Sequence, residues 1–242
     1  MVAKKYQNPA GGLNAVTKPI NLSICIPARD HVDAGFAHDL ATLSAHWYGA
    51  APVGSKFNIH MVSGTLIADQ RQKLVKIALK EGADWILFLD SDMRFPKNIA
   101  HRMIANDLDI VAANYPTRRM PTKTVAFSNF EKLECIYLDD AQSRMQEVDA
   151  VGMGVMLIRA QVFKALPQPW FQIGYAPKSE AFVGEDIYFC KLAQRHGFKV
   201  MIDNAVSSEV RHIGVFEFSH EHAEAERDMD SMVMAEIEGA AA

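Results

Sequence analysis

The chain has 242 residues, 49% of them hydrophobic, with 25 basic and 29 acidic side chains and a net charge of −4. That length buries a sizeable core in one large or two small domains, and with no basic run the sequence shows no nucleic-acid footprint. Cys25, Cys135 and Cys190 are an odd number with no C-x-x-C pair, which argues against a disulfide framework or a thiolate zinc site.

The opening residues, 1–18, are polar and rich in glycine and proline, and are expected to form a flexible arm. They contain no apolar stretch of signal-peptide length. "INLSICIPARD" (20–30) reads as a buried strand ending at Pro27. "DAGFAHDLATLSAHW" follows at helical spacing through Phe36, Leu40 and Leu43. "KFNIHMVS" (56–63) is a second strand. "TLIADQRQKLVKIALKEG" is an amphipathic helix with Ile67, Leu74, Ile77 and Ala78 near one face and Gly82 as its stop. "WILFLD" is a third strand, too apolar to have a wet face. "PKNIAHRMIAND" predicts a helix with Pro96 in its first turn, and "LDIVAANY" a fourth strand. Near-continuous apolar strands alternating with helices predict a parallel sheet covered on both faces. Ligands of such sheets bind beyond the carboxyl ends of the strands. Asp30, Ser63, Asp90 and Asn114 stand at those ends and are expected to share one rim.

The second half reads differently. "KTVAFSNFEKLECIYLDD" predicts two strands of a meander. "VDAVGMGVMLIRAQVFKAL" is a glycine-interrupted strand followed by a short helix. "VGEDIYFCKLAQRHG" is a helix from about Glu185 to His196, capped by Gly197. "FKVMIDN" and "SEVRHIG" are short strands, and the acidic tail is helix-prone. No linker separates the halves. No run approaches ~18 apolar residues, so a soluble, cytoplasmic protein without a membrane span is expected.

Chemistry-bearing residues collect at the strand ends. Asp90 and Asp92 leave the most apolar strand two residues apart, so they can point the same way. Two converging carboxylates repel unless a cation lies between them, and hard oxygen donors suit Mn²⁺ or Mg²⁺. The plainer reading is a D-S-D turn capping the next helix. Glu185 and Asp186 open a helix, where acidic residues complement the dipole. The functional reading, second to the capping role when the feature is taken alone, is a general base aimed at an acceptor hydroxyl. His212 ends a strand before a glycine. It is either structural or a borderline ligand completing a carboxylate site. Gly152 and Gly154 mark close approach of another segment or a ligand to the backbone, or a bulge. Arg71 could meet a diphosphate or a base edge, although an exposed helix arginine is the default.

The order of these features resembles the GT-A nucleotide-sugar glycosyltransferases, especially the family 2-like members. The matching segments are "ICIPARD", "LFLDSDM", "VGMGVMLIRAQVF", "GEDIYFCKLAQRHGFKV" and "RHIG", spread over residues 20–214. The resemblance implies a GT-A-like, Rossmann-like α/β fold with a mostly parallel sheet flanked by helices. It implies one catalytic domain over 19–216, with a nucleotide-binding half (19–116) and an acceptor half (117–216), before a helical segment at 217–242. It implies a metal-dependent transfer of a sugar from a nucleoside diphosphate sugar, with uridine diphosphate as carrier, to an acceptor hydroxyl. Asp92 and His212 would hold Mn²⁺ or Mg²⁺, with Asp90 reaching the metal, its water or the ribose beside Ser91. Pro27, Ala28, Arg29 and Asp30 would hold the nucleoside, with Arg71 nearby. Gly152 and Gly154 would admit sugar or acceptor, and Asp186, or failing that Glu185, would be the base of an inverting enzyme. The chain departs from the family at "PARD", where many members have P-T-Y-N, and in having no Q-x-x-R-W motif. A nucleotidyltransferase would carry a glycine-rich basic loop after the first strand, which "IPARDHVDAG" matches poorly. A non-catalytic nucleotide-sugar or carbohydrate-binding module is the remaining alternative.

Overall fold

The structure, a computed structural model, describes residues 18–215 and His220, apart from residues 120, 133, 139, 140, 142, 178 and 179. Nearly all of the expected arm and the expected C-terminal helical segment lie outside the described residues. The first part of the chain forms β1 (Asn21–Ala28), α1 (Ala34–Ala50), β2 (Lys56–Ser63), α2 (Ile67–Lys80), β3 (Trp85–Leu89), β4 (Met93–Arg94), α3 (Ile99–Ile104) and β5 (Ile110–Ala112). There follow β6 (Ala126–Asn129), β7 (Glu134–Cys135), β8 (Met145–Glu147), β9 (Ala150–Val151), β10 (Val155–Arg159) and α4 (Ala160–Ala165). The last described elements are β11 (Gly174–Ala176), β12 (Ala181–Val183), α5 (Glu185–Arg195), β13 (Met201–Asp203), α6 (Asn204–Ser207) and β14 (Arg211–His212).

The fold is mixed α/β, with a large central sheet flanked by helices. Its seven strands lie in the order β2-β1-β3-β10-β5-β13-β8. Five run in one direction, while β10 and β8 oppose them. The sheet is mostly parallel, as expected, and at its centre β10, from the second half of the chain, enters antiparallel between β3 and β5. An apolar run such as "VMLIR" states burial but not direction. β3 is buried along its whole length because both faces are covered. Ile86 and Phe88 pack with Leu74 and Val75 of α2, Phe163 of α4 and Phe189 of α5. Leu87 and Leu89 pack with Phe36, Leu43 and Trp47 of α1 and Met103 of α3.

Two local differences bear on the site. The helix expected to start near Pro96 is α3, which begins at Ile99 after Asn98. The residues before it form β4, which pairs antiparallel with β14 in a separate small ladder. No helix among the described residues is long and apolar enough to cross a membrane.

Candidate functional site

Parallel register brings the exits of β1 and β3 together. Cys25 pairs with Phe88, and continuing that register two residues carries Asp90 alongside Pro27. Beyond these ends opens a cleft of about 710 Å³, lined by Pro27, Ala28 and Arg29, by Gly64, Thr65 and Gln70, by Asp90, Ser91 and Asp92, and by Arg118 and His212 among others. The volume is that of a small-molecule site. Asp30 instead sits beside Arg29 in an exposed ion pair of 3.4 Å. Asn114 is buried rather than on the rim. Its carbonyl oxygen accepts from the backbone N–H groups of Val125 and Ala126, and its amide donates to Ile136 O.

The D-S-D segment is a turn, closed by Met93 N–H donating to Asp90 O at 3.1 Å. It caps no helix, since Asn98 precedes α3. The β4–β14 ladder sets His212 opposite Met93, and Ile213 N–H donates to Asp92 O at 2.8 Å. His212 Nε2 consequently lies 3.4 Å from Asp92 Oδ1, and Arg118 Nη1 lies 2.5 Å from Asp92 Oδ2. Burial alone would push the Asp92 carboxyl up, but the hydrogen bond and charge of His212 and the charge of Arg118 hold it below its ordinary value. His212 Nδ1 is 3.0 Å from Pro116 O. A carbonyl only accepts, so Nδ1 donates to Pro116 O, and this contact orients the ring with Nε2 facing Asp92.

A carboxylate and an oriented imidazole facing one point fit a divalent cation. Among the described residues no three His, Cys, Asp or Glu side chains converge. Asp92 and His212 alone would leave the remaining positions of such an ion to other ligands. Asp90 turns Oδ1 the other way, to Arg71 Nη2 at 2.8 Å.

Arg71 is the main surprise. It is 2% exposed, does not line the cleft, and joins Asp90 at the cleft to Glu185 at the first turn of α5. Burial favours the neutral guanidine, but the charges of Asp90, Glu185 and Asp186 outweigh it and keep Arg71 protonated. Glu185 is buried, and its carboxyl is raised by burial despite the pull of Arg71. Asp186 is half-buried. Its carboxyl is also raised, by burial and by Asp90, against Arg71, and its Oδ1 accepts from Ile187 N–H at 2.7 Å. The two acids thus differ, since Glu185 is tied to a guanidinium and Asp186 is not hydrogen-bonded to one.

The glycines carry a correction. A Cβ on Gly152 or on Gly154 would come 2.6 Å from Tyr115 Oη. The close approach they permit is that of a buried tyrosine, whose oxygen accepts from Gly154 N–H at 2.8 Å, rather than of sugar or acceptor. Burial first, then the charges of Asp90 and Asp186, raise the Tyr115 hydroxyl. Sequence reasoning also missed Gln70, which donates to Ala28 O at 2.7 Å and holds the exit of β1, and Arg118. Spacing offered a signal for Arg71, which stands three residues before Leu74 and seven before Ala78 on the buried face of α2.

No family model matches the sequence, and no curated protein matches it. Solved structures share its general chain course. A197 from STIV is 16% identical with a TM-score of 0.48, over 83% of this chain and 98% of that one. S. aureus TarS 1–349 in complex with UDP-GlcNAc is 12% identical with a TM-score of 0.47, over 83% of this chain and 60% of that one. Likeness at this level carries no functional weight.

Proposed function

We propose that this protein is a divalent-cation-dependent glycosyltransferase that moves a sugar from a nucleoside diphosphate sugar, with uridine diphosphate as the expected carrier, to an acceptor hydroxyl. One observation carries the reading. Asp92 and His212, far apart in sequence, face each other across 3.4 Å at the mouth of a cleft beyond the ends of β1 and β3.

Asp92 and His212 Nε2 would hold Mn²⁺ or Mg²⁺. When bound, the ion supplies positive charge to the departing diphosphate. Pro27, Ala28 and Arg29, with Gly64 and Thr65 beside them, receive the nucleoside, and Asp90 and Ser91 meet the ribose and diphosphate. The bond from the anomeric carbon to the diphosphate oxygen breaks, and its electron pair leaves with the diphosphate. The acceptor oxygen forms the new bond, and its proton passes to Asp186. A raised carboxyl suits that role, because a base works best when its pKa approaches the working pH. Glu185, held by Arg71, positions the start of α5. These roles describe an inverting transfer.

A thermal-shift screen of nucleotide sugars, with and without Mn²⁺, tests the donor class, because a ligand of the folded state raises apparent stability. Asp92→Ala is expected to abolish Mn²⁺-dependent binding of the nucleoside diphosphate. Calorimetry showing unchanged affinity would remove the cation site from the reading. The anomer of the product, read by NMR, checks inversion.

A further inference from the structure

Both oxygens of Asp92 already face nitrogen. Oδ1 faces His212 Nε2 at 3.4 Å, and Oδ2 faces Arg118 Nη1 at 2.5 Å. An arginine thus sits where the functional reading puts a metal ion. It comes from the segment between β5 and β6, whose base is held by Thr117 N–H donating to Lys123 O at 2.7 Å. Above that base the Arg118 side chain is 52% exposed, whereas that of Asp92 is 16% exposed. Arg118 is therefore an arm reaching from solvent onto a largely covered anion, in the cleft that both line. Gly214 leaves it room, since a Cβ there would lie 3.3 Å from Arg118 Cβ.

We propose that Arg118 binds the diphosphate of the donor, and that its ion pair with Asp92 makes cation and diphosphate bind cooperatively. The proposal rests on the glycosyltransferase reading above. A cation arriving alone must displace Arg118 and leave that guanidinium without an anion. A diphosphate arriving alone meets Asp90 and Asp92, and it must draw Arg118 away from Asp92. When both arrive, the cation takes Asp92 and the diphosphate takes the cation and Arg118. The Asp92–Arg118 pair is exchanged for three contacts between opposite charges. The planar guanidinium fork suits phosphate oxygens better than a lysine point charge does. Linkage makes the effect reciprocal, so whatever the diphosphate adds to cation affinity the cation adds to diphosphate affinity.

The experiment measures Mn²⁺ affinity by calorimetry with and without uridine diphosphate, or whichever nucleoside diphosphate the thermal-shift screen selects. It uses the full chain and the variants Arg118→Ala and Arg118→Lys, with circular dichroism as the check on folding. The full chain is expected to bind Mn²⁺ roughly 5- to 100-fold more tightly when the diphosphate is present, within the usual range of coupling between sites. Arg118→Ala is expected to bind Mn²⁺ alone at least as well as the parent, to bind the diphosphate more weakly, and to lose the part of the coupling that Arg118 supplies, leaving that from the direct contact of diphosphate with cation. Arg118→Lys is expected to fall between. Coupling that survives unchanged in Arg118→Ala overturns the inference and leaves the glycosyltransferase reading standing, as does weaker binding of Mn²⁺ alone in that variant. A parent chain that binds neither Mn²⁺ nor any nucleoside diphosphate overturns that reading and the inference with it.

Discussion

Replacing Arg71 with methionine tests the buried bridge between the cleft and α5. The side chain is 2% exposed and contacts Asp90, at 24% exposure, and Glu185, at 8%. Removing one partner of a buried ion pair costs about 3–5 kcal/mol, because the carboxylates left behind lose their counter-charge without regaining water. Asp90 keeps partial access to water, so the lower end applies. At about 2–4 °C per kcal/mol for a chain of this size, a loss of about 3 kcal/mol lowers Tm by about 6–12 °C. The loss has a definite pH dependence. Burial raises the Glu185 carboxyl above its ordinary value, and Arg71 is the group that pulls it down. Without Arg71 it rises further. A carboxyl whose folded pKa exceeds its unfolded one favours the folded state when protonated. Its penalty is absent below the unfolded pKa and grows as pH rises through the folded one. Arg71→Met is therefore expected to lose more stability at pH 8 than at pH 5, relative to the parent at each pH. The double variant Arg71→Met/Glu185→Gln is expected to recover much of the loss at pH 8, because it removes the stranded charge. Thermal unfolding followed by circular dichroism measures all of this. A loss under about 1 kcal/mol, or one equal at both pH values, refutes the buried bridge.

Asp186→Asn is expected to leave Mn²⁺ and nucleoside diphosphate binding intact and to stop transfer, and a variant that still transfers removes Asp186 as the base. In the parent, the acidic limb of the rate–pH profile is expected above the ordinary aspartate value of 3.8, because the base must lose its proton and its carboxyl is raised. A limb at the ordinary value contradicts that environment. Gly154→Ala pushes a methyl group to within 2.6 Å of Tyr115 Oη and 2.8 Å of its ring, against a buried neighbour. It is expected to lose about 1–3 kcal/mol in denaturant unfolding, and a silent substitution would show that Tyr115 yields freely.

Strands bounded by clear breakers were legible. β2 occupies 56–63 as expected, β3 ends where Asp90 marks the stop, β1 runs one residue past the expected end at Pro27, and α5 starts at Glu185. What failed was information that periodicity does not hold. The direction of β10 is set by the chain's path after Gly152–Gly154, not by its apolar run. Of the expected α2 face, Leu74 and Ala78 are buried, yet Ile77 is 37% exposed while Gln70 and Arg71 are buried. An apolar-only reading rotates the helix because it takes a polar side chain as outward. Arg71 is inward because two carboxylates from other elements meet it there.

The same limit explains why the candidate site was half legible. Asp90, Asp92 and His212 were nameable because polar residues stand out at the ends of apolar strands, and Glu185 and Asp186 because they open a helix in an ordered set of such features. The partners themselves were not nameable, since they depend on contacts between distant segments. His212 reaches Asp92 through the paired residues of β4 and β14, a ladder too short to leave a pattern in sequence. Its register fixes the outcome. His212 stands opposite Met93, which follows Asp92 directly, and Ile213 N–H binds Asp92 O. A slip of one residue would send the imidazole to the opposite face of the ladder. The Asp92–His212 pair therefore depends on backbone pairing as much as on the two side chains that face each other.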